Sequence, residues 1–280
     1  MSSILITGGT GFFGRHFIKK LLFESEYDRI CIYSRDEAKQ AAMRLDLNDD
    51  HRLRFFIGDV RDQSRLKRAT QNIDVIVHAA ALKRIEVGAY NPEEMVKTNI
   101  NGSINVIETA IDNNVKKIIY LSTDKAYQPI SPYGQSKALA ESLFLAANHT
   151  TGSNGPKFAV TRYGNVAGST GSVIPTWRKI LETSCVVPVT DPNATRFWMT
   201  IEQAVDLVLN TIKTMPVEVV IPELPTFKLE DLAKAMDAEM NIIGMPEHEK
   251  IHECMGAGNC SNNPDWRIYV NSLKKALQHV

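Results

Sequence analysis

The stretch ILITGGTGFFGRHF, residues 4–17, decides the fold. An apolar run leads into glycines spaced three apart, and a helical pattern follows. Glycine lets the backbone turn tightly and approach a pyrophosphate, while the start of the next helix offers free N–H groups to an anion. A tight turn without a ligand is the alternative, but the strand–turn–helix order favours a dinucleotide loop. The residues of this loop expected to contact the cofactor are Gly8, Thr10, Gly11, Phe12, Phe13 and Gly14.

The first half of the chain alternates short apolar runs with helical patterns, as parallel βαβ units do. Continuous apolar runs such as IVH and IIYLS suit strands that are covered on both faces. The pattern predicts an α/β fold, with a Rossmann-type doubly wound parallel sheet that binds ligands at the C-terminal ends of its strands. The predicted strands are 4–7, 30–33, 54–57, 75–78, 117–122 and 158–162, and the predicted helices are 15–23, 65–70, 91–113 and 132–147.

After Asn165 the pattern changes, with the loop signals NVAGSTGSVIP and VTDPNATRF. Two helices are predicted at 201–214 and 229–240, and a strand at 217–221. The predicted organisation is a dinucleotide-binding Rossmann domain, residues 1–165 joined by 201–222, and a smaller C-terminal substrate-binding lobe, residues 166–200 and 223–280.

Size and charge exclude several classes of protein. The 280 residues are 44% hydrophobic and 23% charged, an ordinary composition for a globular protein. Lys plus Arg and Asp plus Glu each number 32, so charge gives no reason to expect nucleic acid or an anionic membrane as partner. No apolar run is long enough to cross a bilayer, and the first predicted strand leaves no room for a signal peptide. We therefore expect a cytoplasmic protein.

The four cysteines are Cys31, Cys185, Cys254 and Cys260. The last two lie near His252, which makes a metal site worth considering, but the spacing matches no common zinc pattern. We expect no metal and reduced structural thiols.

The residues after the second predicted strand bear on the choice of cofactor. An acidic residue there accepts from the ribose 2′-hydroxyl of NAD, but this chain has Ser34 and Arg35, which suit a 2′-phosphate. NADP is therefore favoured, although Asp36 follows at once and keeps NAD as the alternative. Arg35 is also compatible with a solvated surface charge. Further expected cofactor contacts are Lys39, Asp59, Val60, Ala79, Ala80, Lys83 and Asn99.

The stretch LSTDKAYQPISPYGQSKALAE, residues 121–141, carries the candidate chemistry. Tyr133 and Lys137 are four apart at the start of a predicted helix and share one face. A phenol with a pKa of about 10 acts as a base near neutrality only if that value falls by roughly three units. A neighbouring ammonium and the positively charged nicotinamide both act in that direction. Ser122 or Thr123, at the end of the preceding strand, can bond the same substrate hydroxyl.

Together these motifs resemble the extended short-chain dehydrogenases/reductases, and within them the UDP-N-acetylglucosamine 4,6-dehydratases of the inverting type. STDKA followed by YGxSK is more specific than the glycine loop. The matching stretches, in the family's order, are ITGGTGFFG, IYSRDE, GDVRD, VHAAALK, NPEEMVKTNINGSINVI, LSTDKA, YGQSK, TRYGNV, TDPNATRFWMT and EKIHE.

The resemblance implies a role for the adjacent residues Asp124 and Lys125. Hydride leaves sugar C4 for a tightly bound, recycled NADP while Tyr133, supported by Lys137, takes the hydroxyl proton. The new ketone makes the C5 proton acidic, Lys125 removes it, and Asp124 protonates the leaving C6 hydroxyl before the hydride returns to C6. A desolvated lysine can be neutral enough for this task. Tyrosine at position 133 resembles the members that invert C5. A surface ion pair is the alternative for residues 124 and 125.

The resemblance also implies a homo-oligomer, a hexamer or dimer, and a UDP-sugar bound by Lys83, Thr123, Asn165 and Arg196, with Arg196 on the diphosphate. Residues 169–172 and 246–250 lack arginines that relatives carry, which puts the identity of the UDP-sugar in question. Two other functions remain open. A nucleotide-sugar 4-epimerase or 4-reductase needs the tyrosine and lysine but no special acid and base at 124 and 125. A non-catalytic NADP-binding regulator tends to lose the tyrosine or lysine.

Overall fold

The computed structural model describes residues 2–25, 27–152 and 154–280. Its main strands are β1 Ser3–Thr7, β2 Arg29–Ser34, β3 Leu53–Ile57, β4 Val75–His78, β5 Lys117–Leu121 and β6 Lys157–Thr161. Within the described residues they form one six-stranded parallel sheet in the order β3-β2-β1-β4-β5-β6. The strand order reverses between β1 and β4, so a crevice opens at their carboxyl ends. The doubly wound fold predicted from the sequence is confirmed.

Helices cover both faces of this sheet and continue into the C-terminal lobe. They are α1 Phe12–Glu24, α2 Glu37–Asp46, α3 Gln63–Ala69, α4 Ile85–Tyr90, α5 Pro92–Met95, α6 Gly102–Asp112, α7 Pro132–Thr150, α8 Val173–Leu181, α9 Ile201–Thr214, α10 Leu229–Ala235 and α11 Val270–Leu277. Short strands also occur: β7 Val186–Val189, β8 Thr195–Phe197, β9 Thr226–Lys228, β10 Glu239–Ile242, β11 Cys254–Gly256 and β12 Asn259–Cys260. They pair as β10 with β7, β8 with β9, and β11 with β12.

Apolar packing fixes the helices to the sheet. On one face, Phe17 of α1 and Val205 of α9 belong to the same buried cluster as the strand residues. On the other face, Val106 of α6 and Phe144 of α7 pack over the sheet. Helix α9 therefore lies with the sheet, while a separate cluster around Trp177 forms the core of the lobe. Burying such side chains removes apolar area from water and drives this packing.

The single helix predicted over 91–113 is interrupted. Between α5 and α6 the chain forms a π-helical turn, Val96–Asn101, which widens the backbone. Within this turn, the Asn99 amide donates to the Leu82 carbonyl at 2.9 Å and accepts from the Leu82 N–H at 2.8 Å. The turn thereby fixes the segment that follows β4, at the edge of the crevice.

Two other elements differ from the sequence predictions. The strand predicted at 217–221 is only a bridge between Val220 and Thr161. Prolines at 216 and 222 flank it and have no N–H to extend a ladder. The helix predicted at 229–240 ends at Ala235 because Asp237 takes a left-handed φ of 53°, and the chain then enters β10. Helices α2, α4, α8 and α11 were not predicted.

The expectation of reduced thiols is wrong for two of the four cysteines. Cys254 and Cys260 lie opposite each other in the β11–β12 hairpin and form a disulfide. Within the described residues, Cys31 is buried and Cys185 is exposed, and both are free. The sequence shows the cysteines but not the hairpin that pairs them. None of the helices formed by the described residues has the length and apolar character needed to cross a membrane.

Candidate active site

The glycine loop forms a tight cradle at the carboxyl ends of β1 and β4. Gly8 has a φ of +67°, and a Cβ there would lie 3.0 Å from the Ala80 Cα. A Cβ on Gly14 would lie 2.5 Å from the Gly9 carbonyl oxygen. Only glycine therefore lets α1 start this close to the two strands.

The start of α1 is suited to bind an anion. In the described chain, its N-cap residue Gly11 offers no side-chain hydrogen bond, and the first turn has no acidic residue. The first amides of the helix are thus left for a ligand. The Phe13 ring stacks on Phe17 and the Phe12 ring contacts His16 at a tilt, so Phe12 and Phe13 offer their backbone rather than their side chains. A pyrophosphate fits this loop, which also contains the buried Thr10.

The end of β2 presents cations where a dinucleotide ribose would lie. Asp36 caps α2 by accepting from the Lys39 N–H at 3.0 Å, so its carboxylate serves the helix. The Arg35 side chain is 58% exposed, with its Nη1 3.7 Å from an Asp59 oxygen. The Ser34 hydroxyl accepts from Gln40 Nε2 at 2.9 Å. The Lys39 ammonium lies 3.0 Å from the other Asp36 oxygen, so two cations, Arg35 and Lys39, stand at this end of the crevice.

The other predicted cofactor residues lie along the same crevice. The Arg61 guanidinium donates a hydrogen bond to Asp59 Oδ2 at 2.7 Å, and the Asn105 side chain donates to the Val60 carbonyl at 2.8 Å. The Ala80 N–H, next to Ala79, donates to the Thr7 hydroxyl at 3.2 Å. The Asn99 amide is bonded to Leu82 and to the Ser136 hydroxyl. Their contacts with a cofactor stay predictions.

A hydrogen-bonded chain joins three of the predicted catalytic residues, and a fourth lies beside it. The Lys125 amine donates to Asp124 Oδ1 at 3.1 Å, and the Thr123 hydroxyl donates to the same oxygen at 2.8 Å. The Thr123 hydroxyl is also near enough to the Tyr133 phenol to lower its pKa. Hydroxyl, carboxylate and amine are thus linked in sequence, with the phenol beside the hydroxyl.

Local structure explains this assembly. Thr123 caps a short 3-10 turn, Asp124–Ala126, that follows β5 directly. Ser131 caps α7, and Pro132 occupies its first position, so Tyr133 enters the site from the first turn of the helix. Gly134 packs against this turn, because a Cβ there would lie 2.4 Å from the Lys125 carbonyl oxygen.

Only one of the two hydroxyls after β5 faces Tyr133. The Ser122 hydroxyl donates to Glu141 at 2.6 Å, and Glu141 is also paired with Arg162. Thr123 is therefore the hydroxyl placed to assist the phenol. His78 is a core residue, since its ring bonds Thr7 and Ser103 and is almost completely buried.

The protonation states differ from the sequence expectation. Burial raises the pKa of Tyr133 to about 12, although Lys125 and the Thr123 hydrogen bond oppose the rise. Burial alone would lower the pKa of Lys125, but the carboxylates of Asp124 and Glu253 outweigh it and raise that pKa. The protein by itself therefore holds a neutral phenol and an ion-paired ammonium, not the neutral lysine that was expected.

The predicted substrate residues surround the Lys125 amine. Asn165 Oδ1 accepts from it at 3.3 Å. Arg196 is buried and donates to the Thr195 and Ile251 carbonyls at 2.8 and 3.2 Å. Lys83 is exposed. Its pKa is lowered, mainly by partial desolvation and to a smaller extent by the positive charges of Arg84 and Lys125. Which of these residues contact a substrate stays a prediction.

Comparison with known proteins agrees with this geometry. Residues 4–269 match the family model described as polysaccharide biosynthesis protein. The chain belongs to this family.

Two curated relatives of this polysaccharide biosynthesis family member are named as nucleotide-sugar enzymes. It is 46% identical over 257 residues to "UDP-N-acetylglucosamine 4,6-dehydratase (inverting)" of Campylobacter jejuni subsp. jejuni serotype O:2, across 90% of this chain and 77% of that protein. It is 39% identical over 263 residues to a "UDP-glucose 4-epimerase" of Rickettsia conorii, with the same shares covered. The first relative confirms the resemblance inferred from the motifs.

A solved structure shows the same architecture. Pen from Bacillus thuringiensis superposes with a TM-score of 0.92 at 30% identity, over 100% of this chain and 98% of that one. The whole chain of this family member, including its C-terminal lobe, thus follows a known fold.

Two acidic residues near the site were not predicted. Glu249 forms an ion pair with Arg196. Glu253 lies with Oε1 3.5 Å from the Lys125 amine and is 2% exposed. The only signal in the sequence was the matching stretch EKIHE, which does not say which of its carboxylates reaches the site.

The buried Lys137 amine destabilises the fold of this family member. It donates to the Leu121 carbonyl and lies 4.1 Å from the centre of the Tyr120 ring. Burial lowers its pKa from 10.5 to about 7, with Glu141 opposing. The unfolded chain therefore binds the Lys137 proton more tightly than the folded protein does. The free-energy cost of burying this amine is largest below about pH 7 and decreases as the pH rises towards 10.5.

Lys137→Met should accordingly raise the free energy of unfolding by roughly 2–4 kcal/mol at neutral pH. The gain should shrink as the pH approaches 10.5. Urea unfolding at several pH values measures both effects. The control is Lys179→Met, at an exposed position on α8, which should change stability little at any pH. A Lys137→Met variant no more stable than the parent at neutral pH contradicts the assigned cost.

Proposed function

We propose that this protein is a nucleotide-sugar 4,6-dehydratase, a hydro-lyase. Its substrate is UDP-N-acetylglucosamine, and its product is a UDP-4-keto-6-deoxy-N-acetylhexosamine with C5 inverted. The observation that carries the proposal is the buried hydrogen-bonded chain of Thr123, Asp124 and Lys125, with the Tyr133 phenol beside it. A reaction confined to C4 has no use for a buried acid and base beside the tyrosine. The name of the Campylobacter relative supports the same reaction.

The cofactor we propose is NADP, held tightly by the glycine loop, with Arg35 and Lys39 at its 2′-phosphate. The chemistry it would supply there is reversible hydride transfer with the sugar, so that it would be recycled. Tyr133 would hold the C4 hydroxyl and take its proton, with Thr123 orienting the phenol and Lys137 adding positive charge nearby. Two positive charges, those of the cofactor ring and of Lys125, would offset the effect of burial on the pKa of Tyr133.

The ion pair of Lys125 and Asp124 already contains the proton that the elimination needs. Moving that proton from the amine to the carboxylate converts the pair into a neutral base and a neutral acid without any exchange with water. The two groups are 3.1 Å apart, within reach of one hydrogen bond. The raised pKa of Lys125 is therefore compatible with its role as a base.

These two residues would then supply the base and the acid that the elimination needs. Lys125 takes the C5 proton, and Asp124 gives its proton to the C6 hydroxyl, which leaves as water. The pair ends as the ion pair from which it started. The Asp124 carboxyl group is placed for this donation, since it is buried and its Oδ2 has no hydrogen-bond partner among the described residues that would hold it in place. The bound cofactor would supply the hydride that returns to C6, and a proton derived from solvent would reach the opposite face of C5, which gives the inverted product.

Substrate binding would involve the lobe formed by residues 166–200 and 223–280. We propose that Lys83, Thr123 and Asn165 contact the sugar and that Arg196 pairs with the diphosphate. Arg196 is paired with Glu249 in this structure, so the diphosphate would take the place of that carboxylate. We also propose that the protein is a homo-oligomer, a hexamer or dimer.

The test is an incubation with UDP-N-acetylglucosamine in deuterium oxide, followed by NMR. We expect a 6-deoxy-4-keto sugar with deuterium at C5 and no net consumption of NADP. The same reaction in ordinary water is the control and should give the product unlabelled. A protein that binds NADP but turns over nothing would contradict the proposal and favour a regulator or another sugar.

The second candidate is a nucleotide-sugar 4-epimerase, favoured by the name of the Rickettsia relative. It requires Tyr133 and Lys137 alone. In the same experiment, it would yield the C4 epimer with no deuterium at C5.

A further inference from the structure

Glu253 reaches the catalytic amine from the far end of the chain. Its side chain is 2% exposed, and its Oε1 lies 3.5 Å from Lys125 Nζ. Its Oε2 lies 3.8 Å from Lys250 Nζ and has no hydrogen-bond partner within the described residues. A buried carboxylate is retained at low cost only when it is paired, and here the main pairing is with Lys125.

Contacts on both sides of Glu253 tie its segment to the Rossmann part of the chain. Before it, the Lys250 amine donates to the Tyr127 carbonyl at 2.7 Å. After it, the Arg162 guanidinium donates to the Met255 carbonyl. The residues that directly follow the 124–126 turn and strand β6 are thereby joined to the segment on either side of Glu253.

The backbone of Glu253 is fixed as well. Its N–H donates to the Ser261 hydroxyl at 2.9 Å, and its carbonyl accepts from the Ser261 N–H at 2.7 Å. The Ser261 hydroxyl in turn donates to the Thr195 carbonyl at 3.0 Å. The Cys254–Cys260 disulfide closes the hairpin that begins with the next residue. A side chain on so constrained a backbone has a defined position.

We propose that Glu253 is a positioning residue for Lys125, whose carboxylate holds the amine opposite Asp124 and so lets the C-terminal lobe complete the proton-transfer centre. This inference rests on the proposed function and adds to it a residue that acts through Lys125. Glu253 need not touch the substrate to do so.

The charge of Glu253 sets how readily Lys125 becomes a base. Two carboxylates share one ammonium, and removing either lowers the affinity of the centre for protons. The cations that lower the proton affinity of Lys125 remain when either carboxylate is removed. A change in that affinity can therefore be assigned to Glu253. The titratable and charged groups that face this centre are Asp124, Glu253 and Tyr133, with the cations Arg196, Lys83 and Lys250.

The test uses Glu253→Gln, which keeps the size of the side chain and removes its charge. Trace acetylation at fixed pH, read by mass spectrometry, compares Lys125 with the exposed Lys179 in the same molecule. Only the unprotonated amine reacts, so Lys125 in the variant should react about tenfold faster or more relative to Lys179. The matched control is Glu247→Gln, at an exposed position of the same segment, which should leave the ratio unchanged.

This labelling needs no substrate, so its outcome is separate from that of the proposed function. With substrate, the acid limb of the pH profile of kcat/KM should move to lower pH by roughly one unit or more in Glu253→Gln. Unchanged relative reactivity of Lys125 in a folded Glu253→Gln variant overturns the inference.

A loosened fold would also raise the reactivity of Lys125 relative to Lys179, because Lys179 is already exposed. Glu253→Asp separates this effect from the loss of charge. That variant keeps the charge but shortens the side chain. We expect Lys125 to stay as unreactive as in the parent, while kcat falls about tenfold or more and KM changes little. A Glu253→Asp variant with the parent's kcat contradicts a positioning role.

Discussion

Lys125→Met should lower the rate of dehydration by at least about 10³-fold, because the base that removes the C5 proton is gone. NADP binding should persist, since the glycine loop lies elsewhere in the crevice. The C4 carbonyl should still form, though more slowly, because Tyr133 and the cofactor remain while the charge of Lys125 beside the phenol is lost. Quenching with borodeuteride would trap it as deuterium at C4 of a sugar that keeps its C6 hydroxyl, which mass spectrometry detects.

The control for this variant is Lys116→Met. Lys116 is 75% exposed, pairs with Asp74, and precedes β5 at the opposite end of the sheet. Its loss should leave turnover unchanged. Lys125→Met also leaves Asp124 and Glu253 without their shared cation, so it should lose stability. Combining it with Glu253→Gln should restore part of that loss without restoring activity. Dehydration at the normal rate in Lys125→Met would show that the base is another residue.

Tyr133→Phe should block the reaction one step earlier. The ring and its packing remain, but the group that takes the C4 hydroxyl proton is lost, and we expect turnover to fall about 10²–10⁴-fold. No C4 carbonyl should form, so the borodeuteride quench should place no label in the sugar. The contrast with Lys125→Met separates oxidation at C4 from proton removal at C5.

Tyr90→Phe serves as the matched control, because Tyr90 is 89% exposed and is not among the residues of the site. It should turn over like the parent. Label at C4 in Tyr133→Phe would mean that another group accepts the hydroxyl proton, and the order of roles along the polar chain would then be wrong.

Local signals account for the parts of the protein that sequence predicts well. The glycine loop needs small residues at fixed spacing, and the structure shows why at Gly8 and Gly14. Thr123, Asp124 and Lys125 are adjacent, and Tyr133 follows within a few residues. Their meeting therefore depends on one short turn and the start of one helix. Short-range geometry of this kind can be inferred from order and spacing alone.

Long-range geometry accounts for what the sequence does not reveal. Glu253 comes from a turn-rich segment far along the chain, and only the packed lobe brings it to Lys125. The raised pKa of Lys125 was missed for the same reason, because burial alone predicts the opposite direction. The pairing of Cys254 with Cys260 depends on a hairpin whose strands are too short to show an alternating pattern.

The most direct test is a crystal structure with NADP and UDP-N-acetylglucosamine bound, in which the distance from Lys125 Nζ to sugar C5 is measured. We predict a distance of roughly 3–3.5 Å, the separation of reacting atoms in a productive complex, with the Asp124 carboxyl group beside the C6 oxygen. A Lys125 amine that points into solvent, away from the hexose ring, would contradict it.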